Sequence, residues 1–297
     1  MENIFITGPS GFVGKYILEY FKSNYQFTIF NKNESILIHS DIVVHLAGKA
    51  HDLKNISNPD EYYIVNTELS KKIFDAFILS NAKVFITLSS VKAAADTLDS
   101  VLTEDSIANP ITHYGKSKLL AEEYILSKPI PNDKRVYILR PCMINGPGNK
   151  GNLNLLYKMV SNGFPWPLGA FENKRSFCSI DNLCFIINEL IQNENIPSGV
   201  YNIADDEPLS TNDLIKLISS SQSKKYKIWK VPVSLIKLFS KLGDIFKLPL
   251  NSERLSKLTE TYIVSNTKIT AAINKPLPFT VKEGLMKTLN SFNTNVK

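Results

Sequence analysis

The sequence predicts an α/β fold, in which a doubly wound, mostly parallel sheet occupies residues 1–150 and a smaller lobe occupies residues 151–297. Three observations predict it. An apolar strand pattern at residues 3–7 runs directly into a glycine-spaced turn and a helical pattern. Short strand patterns then alternate with helical ones. From about Gly151 the alternation gives way to irregular segments, and we expect some of this second half to return to the core of the sheet.

Composition excludes several classes of protein. With 43% hydrophobic and 21% charged residues, the 297-residue chain can bury a core and is not a disordered protein. Its three cysteines, at 142, 178 and 184, have no disulfide or zinc spacing, which suggests the reducing cytoplasm. We expect no signal peptide and no stable membrane insertion, because no apolar run approaches about 18 residues. The net charge of +6 favours anionic small molecules or a membrane surface, and we expect no nucleic-acid partner.

The first strand leads into Gly8-Pro9-Ser10-Gly11-Phe12-Val13-Gly14, and a helix begins near Phe12. Glycine permits a tight turn and close backbone approach, and a helix N-terminus offers free N–H groups and a positive dipole. The combination suits a pyrophosphate, and an ordinary tight strand-to-helix connection is the alternative. The residues expected to contact a dinucleotide here are Gly8, Gly11, Phe12, Val13 and Gly14.

The second strand, at residues 26–30, ends where NAD enzymes of this architecture carry an acidic residue for the adenosine ribose. Asn31 occupies that position, followed by Lys32, and this pair would accept a 2′-phosphate better than an aspartate would. Glu34 could still take the ribose role, so NAD and NADP are both open. Only ten residues separate Phe30 from Asp41, and a strand–helix–strand crossover needs about a dozen or more. This predicts a sheet shortened near its second and third strands.

Tyr114 and Lys118 are four residues apart in a helical pattern, so their side chains share one face. An ammonium group beside the phenol should lower its pKa from about 10, producing an acid/base catalyst for a sugar or alcohol hydroxyl. A solvated helix face gives the same spacing by chance. Ser90, which ends a strand 24 residues before Tyr114, favours the catalytic interpretation.

The glycine turn, Ser90 and the Tyr114–Lys118 pair together resemble the extended short-chain dehydrogenase/reductase family, which contains nucleotide-sugar epimerases, dehydratases and reductases. The resemblance covers nearly the whole chain and implies a Rossmann sheet with a C-terminal substrate-binding lobe. It also implies that Tyr114 exchanges a proton with the oxygen on C4 of the sugar, while Ser90 holds that oxygen. Lys118 would tune Tyr114 and bind the nicotinamide ribose.

Other positions match the family's segments. Residues 42–48 resemble D-x-V-x-H-L-A, in which His45 is a structural residue. Arg175 begins a stretch like R-D-F-x-x-V-x-D, where a guanidinium would bind a substrate phosphate; an arginine capping a loop is the alternative. Besides the glycine turn, the resemblance implies cofactor contacts from Asn31, Lys32, Leu46, Ala47, Gly48, Asn66, Tyr114, Lys118 and Pro141. It implies substrate contacts from His51, Ser90, Asn145, Asn154, Arg175 and Arg254.

The resemblance implies NAD- or NADP-dependent chemistry at C4 of a UDP-N-acetyl-hexosamine derivative in bacterial surface polysaccharide biosynthesis. We expect a reductase of a 4-keto-6-deoxy sugar, acting as a possible homodimer. A 4-epimerase that retains NAD is the first alternative, and a non-catalytic dinucleotide-binding protein is the second. A dehydratase is less favoured, because Val91-Lys92 follows Ser90 where dehydratases carry Asp-Glu.

One further segment is amphipathic. Six apolar residues between Leu235 and Phe246 repeat with helical spacing, beside Lys237, Lys241 and Lys247. Such a helix can cover a domain core or lie on a membrane. We expect it to pack its apolar stripe into a core.

Overall fold

The computed structural model describes residues 1–49, 58–149, 152–246 and 251–294. Within these residues the main sheet has six strands: β1 (Asn3–Thr7), β2 (Gln26–Ile29), β3 (Ile42–His45), β4 (Val84–Leu88), β5 (Arg135–Pro141) and β8 (Gly199–Ile203). All five pairings are parallel, in the order β2-β1-β3-β4-β5-β8. A second, two-stranded parallel sheet joins β6 (Met143–Asn145) to β7 (Phe177–Ser179). The predicted mostly parallel α/β fold is confirmed.

Helices connect the strands. Their bounds are α1 (Phe12–Phe21), α2 (Pro59–Tyr62), α3 (Leu69–Leu79), α4 (His113–Leu126), α5 (Asn152–Ser161), α6 (Ile180–Gln192), α7 (Thr211–Ser221), α8 (Val233–Phe246), α9 (Ser252–Thr259), α10 (Thr267–Ile273) and α11 (Val281–Thr294). A π-helical turn, Tyr63–Glu68, joins α2 to α3, and a 3₁₀ turn, Val91–Ala93, follows β4.

Both faces of the main sheet are covered, which explains why its central strands are continuously apolar. Helices α1, α6 and α10 pack with one face, where Ile4, Ile6 and Ile86 are buried. Helices α3 and α4 pack with the other, which buries Phe85 and Val43. Because β1 pairs with β2 on one side and β3 on the other, the chain reverses its direction of winding at β1. A crevice outside the carboxyl ends of β1 and β3 is where such sheets bind ligands.

The predicted shortening of the sheet is also confirmed. β2 pairs only with β1 in the described structure, and residues 30–41 contain neither a helix nor a strand. Instead, Ile38 is buried against the α3 face of the sheet, with Phe30 and Ile36 packed beside it. The short link thus covers part of the sheet that a helix would otherwise cover.

The second half of the chain has its own apolar core, built mainly by α5, α7 and α11. It also contributes β8 to the main sheet and packs α6 and α10 against one face of that sheet, so part of this half lies in the first core. The division at residue 150 stays a prediction. Among the described residues, no helix is both long and apolar enough to cross a bilayer.

The amphipathic segment forms α8 as predicted, but the expected burial of its apolar stripe is wrong. The buried positions of α8 are Ile236, Ser240 and Gly243, which recur at i, i+4 and i+7 and so share one face. The six stripe residues are all exposed: Leu235, Leu238, Phe239, Leu242, Ile245 and Phe246. The helix therefore approaches the protein through its small residues and turns its large ones outward.

Candidate active site

The glycine turn between β1 and α1 is built for close approach by a ligand. Gly8 has a φ of 69°, a conformation that favours glycine, and a Cβ at this position would lie 2.8 Å from the amide nitrogen of Ala47. The turn closes through Gly11 N–H, which donates to the Gly8 carbonyl at 3.2 Å. Gly11 is the N-cap of α1, and no side chain caps that helix. The first turn of α1 thus presents its N-terminus without a competing side chain.

Beneath this turn, His45 belongs to a buried hydrogen-bond chain. Thr7 Oγ1 accepts from the amide groups of Leu46 and Ala47, so its proton is directed to His45 Nδ1, 2.7 Å away. His45 Nε2 then donates to Ser70 Oγ at 2.9 Å. Burial lowers the pKa of His45 to about 3, with a smaller contribution from Lys118. The imidazole is therefore neutral and structural, as the sequence predicts.

Asn66 ties the loop after β3 to α4. It is fully buried in the π-helical turn, and its Oδ1 accepts from Lys49 N–H at 2.7 Å. Its Nδ2 donates to Ser117 Oγ at 3.0 Å. A Cβ on Gly48 would lie 3.1 Å from Asn66 Oδ1 and 2.9 Å from Lys118 Nζ. Three of the residues predicted to contact the cofactor, Gly48, Asn66 and Lys118, therefore meet at one point.

Ser90 and Tyr114 lie close enough together that the Ser90 hydroxyl lowers the pKa of the Tyr114 phenol. Ser90 Oγ also accepts from Lys92 N–H at 3.2 Å, so its own proton is available to the phenol oxygen. Tyr114 lies in the first turn of α4, whose N-cap Thr112 accepts from Gly115 N–H at 3.1 Å. The end of β4 and the start of α4 thus fix both hydroxyls at the carboxyl edge of the sheet.

The predicted effect of Lys118 on Tyr114 is wrong. Burial raises the pKa of Tyr114 above its ordinary value of 10.0, and the lowering by Ser90 is smaller. Lys118 Nζ donates to the carbonyl of Leu88 at 2.9 Å, and burial lowers its own pKa to about 8 against an opposing effect of Glu122. In this arrangement desolvation dominates, and Tyr114 is a protonated phenol near neutral pH.

A buried ion pair supports the catalytic strand end from below. Arg140 Nε lies 3.1 Å and 3.0 Å from the two carboxylate oxygens of Glu122, and Nη2 lies 2.5 Å from Oε2. Their side chains are only 7% and 2% exposed. Ser89 Oγ donates to the same carboxylate. The carboxylate therefore joins α4, β5 and the residue directly before Ser90.

At the end of β2, the two residues predicted to meet the adenosine side are exposed. Asn31 Nδ2 donates to Glu34 Oε1 at 2.5 Å, and Asn31 Oδ1 accepts from Asn33 N–H. Lys32 is exposed beside them. This end of the site is therefore open, as the short link to β3 predicts.

Arg175 binds its own chain in this structure. Its guanidinium forms an ion pair with Glu260 at 2.9 Å and donates to the carbonyls of Glu260 and Lys257 at the end of α9. This matches the loop-capping alternative, and a phosphate contact would have to compete with Glu260. Burial is the main cause that lowers the pKa of Lys92, and the positive charge of Arg175 makes a smaller contribution in the same direction. Arg175 therefore lies near the loop that follows Ser90.

The other predicted substrate residues are dispersed. Asn145 is buried, and its Nδ2 has no hydrogen-bond partner among the described residues; Asn154 Oδ1 likewise has none. Arg254 is exposed on α9. His51 lies outside the described residues. The substrate assignments of these residues stay predictions, as does the cofactor contact of Pro141, which is buried at the end of β5.

Sequence reasoning missed several neighbours of the site. The ring of Tyr62 meets the ring of Tyr114 edge to face, with centroids 6.2 Å apart. Tyr262 donates from its hydroxyl to the carbonyl of Ala95 at 2.7 Å, and Lys92 Nζ lies 4.3 Å from its ring centroid. These contacts join parts of the chain that are distant in sequence, so no local pattern predicts them. The sequence showed only that Val91-Lys92 follows Ser90 where dehydratases carry Asp-Glu.

Comparisons with known proteins agree with this geometry. A family model described as the NAD dependent epimerase/dehydratase family matches residues 27–204. The UDP-glucose 4-epimerase of Vibrio cholerae is 29% identical, over 98% of this chain and 95% of that protein. The N-acetyl-alpha-D-glucosaminyl-diphospho-ditrans,octacis-undecaprenol 4-epimerase of Escherichia coli O157:H7 is 28% identical, over 97% and 94% respectively.

The fold has close counterparts among solved structures. The UDP-N-acetylglucosamine 4-epimerase from Bacillus cereus superposes with a TM-score of 0.75, at 18% identity, over 97% of this chain and 98% of that chain. At this level of identity the likeness extends to the fold, and the doubly wound sheet with its flanking helices is shared.

Proposed function

The chain belongs to the NAD-dependent epimerase/dehydratase family, and from that premise we propose that it moves a hydride at C4 of a UDP-N-acetyl-hexosamine derivative. It is an enzyme of the extended short-chain dehydrogenase type that uses a nicotinamide dinucleotide, NAD or NADP. The sugar and the direction of net reaction are our proposal, as are the roles of individual residues.

The described residues fit a dinucleotide. Because Gly8 has no Cβ, the turn packs directly on the backbone of Leu46 and Ala47, and the N-terminus of α1 has no side-chain cap. At the other end, Gly48 packs as closely on Lys118 Nζ and Asn66 Oδ1. The first feature would hold the pyrophosphate and the second the nicotinamide ribose. When bound, the dinucleotide supplies or accepts the hydride.

The closeness of the Ser90 and Tyr114 hydroxyls at the carboxyl edge of the sheet carries the proposal. A sugar oxygen beside them could accept from Ser90 while it exchanges a proton with Tyr114. Lys118 lies behind them at the end of β4, held by the Leu88 carbonyl. Ser90 would orient the C4 oxygen, Tyr114 would transfer the proton, and Lys118 would bind the ribose hydroxyls.

We propose reduction of a 4-keto-6-deoxy sugar as the direction of the reaction. Tyr114 is a protonated phenol at rest, as an ordinary tyrosine also is near neutral pH, and it can donate a proton to a keto oxygen as the hydride arrives. A reductase must also exchange its cofactor in every turnover. The exposed Asn31 and Lys32, and the short link after β2, leave the adenosine side of the site open.

A 4-epimerase is the second candidate, and a different observation favours it. The two relatives that match 98% and 97% of this chain are both named as 4-epimerases. Epimerisation uses the same hydroxyls at C4, but it begins with proton removal by Tyr114. Tyr114 would have to be deprotonated before it removes this proton, so its pKa would have to fall when substrate and cofactor bind.

The substrate's diphosphate would be bound by Arg175, with Arg254, Asn145 and Asn154 around it. Arg175 offers a planar group that matches two phosphate oxygens, although Glu260 occupies it now. The unpartnered Asn145 Nδ2 can donate a hydrogen bond to a sugar or nucleotide oxygen, and the unpartnered Asn154 Oδ1 can accept one from a ligand hydroxyl.

Replacement of Tyr114 tests the chemical assignment. Tyr114→Phe should reduce turnover of a UDP-4-keto-6-deoxy-N-acetylhexosamine by about 10²–10⁴-fold, the range for general acid–base catalysis, while cofactor binding persists. Tyr124→Phe is a matched control, because Tyr124 is on the same helix and its hydroxyl donates to Asp75. Near-normal turnover by Tyr114→Phe would refute the role of Tyr114.

The cofactor content of the purified protein separates the two reactions. If the protein is a reductase, it should lose dinucleotide on dialysis and consume NADH or NADPH only when a 4-keto sugar is present. If the purified protein instead retains stoichiometric NAD and epimerises a UDP-N-acetylhexosamine at C4 without added cofactor, it is an epimerase and not a reductase. Absence of both activities would refute the proposal as a whole.

A further inference from the structure

The outward apolar face of α8 is the largest feature that the proposed reaction does not use. Its six residues were named above, and Ile245 and Phe246 are 72% and 68% exposed. At about 100° per residue they cover a continuous arc of about 120°, which lies beside the arc of the buried Ile236, Ser240 and Gly243. An apolar strip of this size on a surface marks an interaction site. The face does not contribute to either apolar core, where α8 places only Ile236.

Basic residues border this face and lead up to it. Lys237 and Lys241 are exposed along one edge of the stripe. The segment before α8 carries four further exposed lysines, at 224, 225, 227 and 230, together with the exposed aromatic rings of Tyr226 and Trp229. Residues 223–246 thus hold six lysines and one aspartate, which is a net charge of +5 out of the chain's +6.

Two acidic groups on the described part of this surface have hydrogen-bond or ion-pair partners. The carboxylate of Asp244, the single acid in residues 223–246, accepts from the backbone and hydroxyl of Ser252. On the neighbouring helix α9, Glu253 is paired with Lys257. The surface therefore presents positive charge and apolar side chains together, and its complement is a negatively charged surface with an apolar interior.

We propose that α8 and the basic segment before it form a docking surface for an anionic lipid bilayer. The helix would lie in the plane of the interface, with its apolar face among the acyl chains and its lysines beside the headgroups. With 14 residues, α8 is about 21 Å long, too short to span the hydrocarbon core of about 30 Å. A twofold contact with a second copy would instead bring two patches of charge +5 together, which opposes such an interface. The inference is independent of the proposed reaction.

Vesicle sedimentation with the full chain tests the proposal. The protein should bind vesicles of phosphatidylcholine mixed with phosphatidylglycerol, bind much less to pure phosphatidylcholine, and dissociate as salt is added. Lys237→Gln/Lys241→Gln should lower the partition coefficient about 30-fold, because each lysine near an anionic surface contributes about a factor of five. Phe239→Ser/Phe246→Ser should lower it at least about tenfold.

The controls distinguish this face from general surface hydrophobicity. Leu79→Ser/Ile107→Ser removes two residues that are 88% and 94% exposed elsewhere, and it should leave vesicle binding unchanged. Equal binding to both kinds of vesicle, or unchanged binding by the α8 variants, would overturn the proposal. A third outcome would also overturn it: the wild-type protein does not bind vesicles, and sedimentation equilibrium shows a dimer that Phe239→Ser/Phe246→Ser dissociates. A second copy of the chain would then cover the face.

Discussion

Removal of the Glu122 carboxylate should destabilise the protein strongly, although Glu122 touches neither proposed ligand. In Glu122→Ala the buried Arg140 guanidinium loses three short contacts to carboxylate oxygens, and Ser89 loses its acceptor. Both charged side chains are less than a tenth exposed, so solvent cannot replace the lost partner. Breaking a buried pair from one side costs about 3–5 kcal/mol. That is a large fraction of the roughly 5–15 kcal/mol by which a domain is stable.

Urea unfolding followed by circular dichroism measures this cost. Glu123→Ala is the matched control, because Glu123 is the next residue of α4 and is exposed; its change should stay within about 0.5 kcal/mol. In a double variant, Glu122→Met/Arg140→Met, no charge is left buried, and much of the stability should return. If Glu122→Ala unfolds at the same urea concentration as Glu123→Ala, the reasoning is wrong. If the double variant is as unstable as the single one, the cost comes from packing and not from an unpaired charge.

Two further predictions concern the ligand-binding groups. Lys118, whose pKa is lowered to about 8, is charged below that pH and neutral above it, so kcat/KM for the cofactor should fall as the pH rises through about 8. Lys118→Arg should remove that alkaline fall, and a flat profile in the wild-type protein would contradict the role of the charge. Arg175→Ala should weaken UDP binding by about one to two decades in calorimetry, while Lys174→Ala, its exposed neighbour, should not. If Arg175→Ala lowers the stability of the protein but leaves its UDP affinity unchanged, the role of Arg175 is limited to its contacts with Glu260.

Features that depend on neighbouring residues were predictable from the sequence. The strand, the glycine turn and the first helix follow one another within residues 3–21, so their pattern is local. The shortened sheet followed from chain length, because ten residues cannot hold a helix and a further strand. The juxtaposition of Ser90 and Tyr114 followed from the resemblance, which supplied the long-range information that spacing alone lacks.

Features that depend on tertiary contacts were not predictable. Arg175 meets Glu260, 85 residues away, and only the fold shows that this partner occupies the guanidinium. The pKa of Tyr114 was expected in the wrong direction, because helical spacing shows proximity to Lys118 but not the degree of desolvation. For α8, periodicity identified the apolar stripe correctly but not the direction in which it faces, because the helix buries Ile236, Ser240 and Gly243 instead.

The π-helical turn at Tyr63–Glu68 determines how far α2 is rotated about the helix axis relative to α3. Leu69 N–H bonds to the carbonyl of Ile64, five residues earlier, so this turn contains one residue more than an α-helical turn. Conversion of this turn to an ordinary α-helix with all its residues kept would rotate everything before it by about 100°. Tyr62 would then turn away from Tyr114 even though no side chain in the site had changed. The backbone conformation of this turn therefore constrains the protein as strictly as the chemistry of its residues.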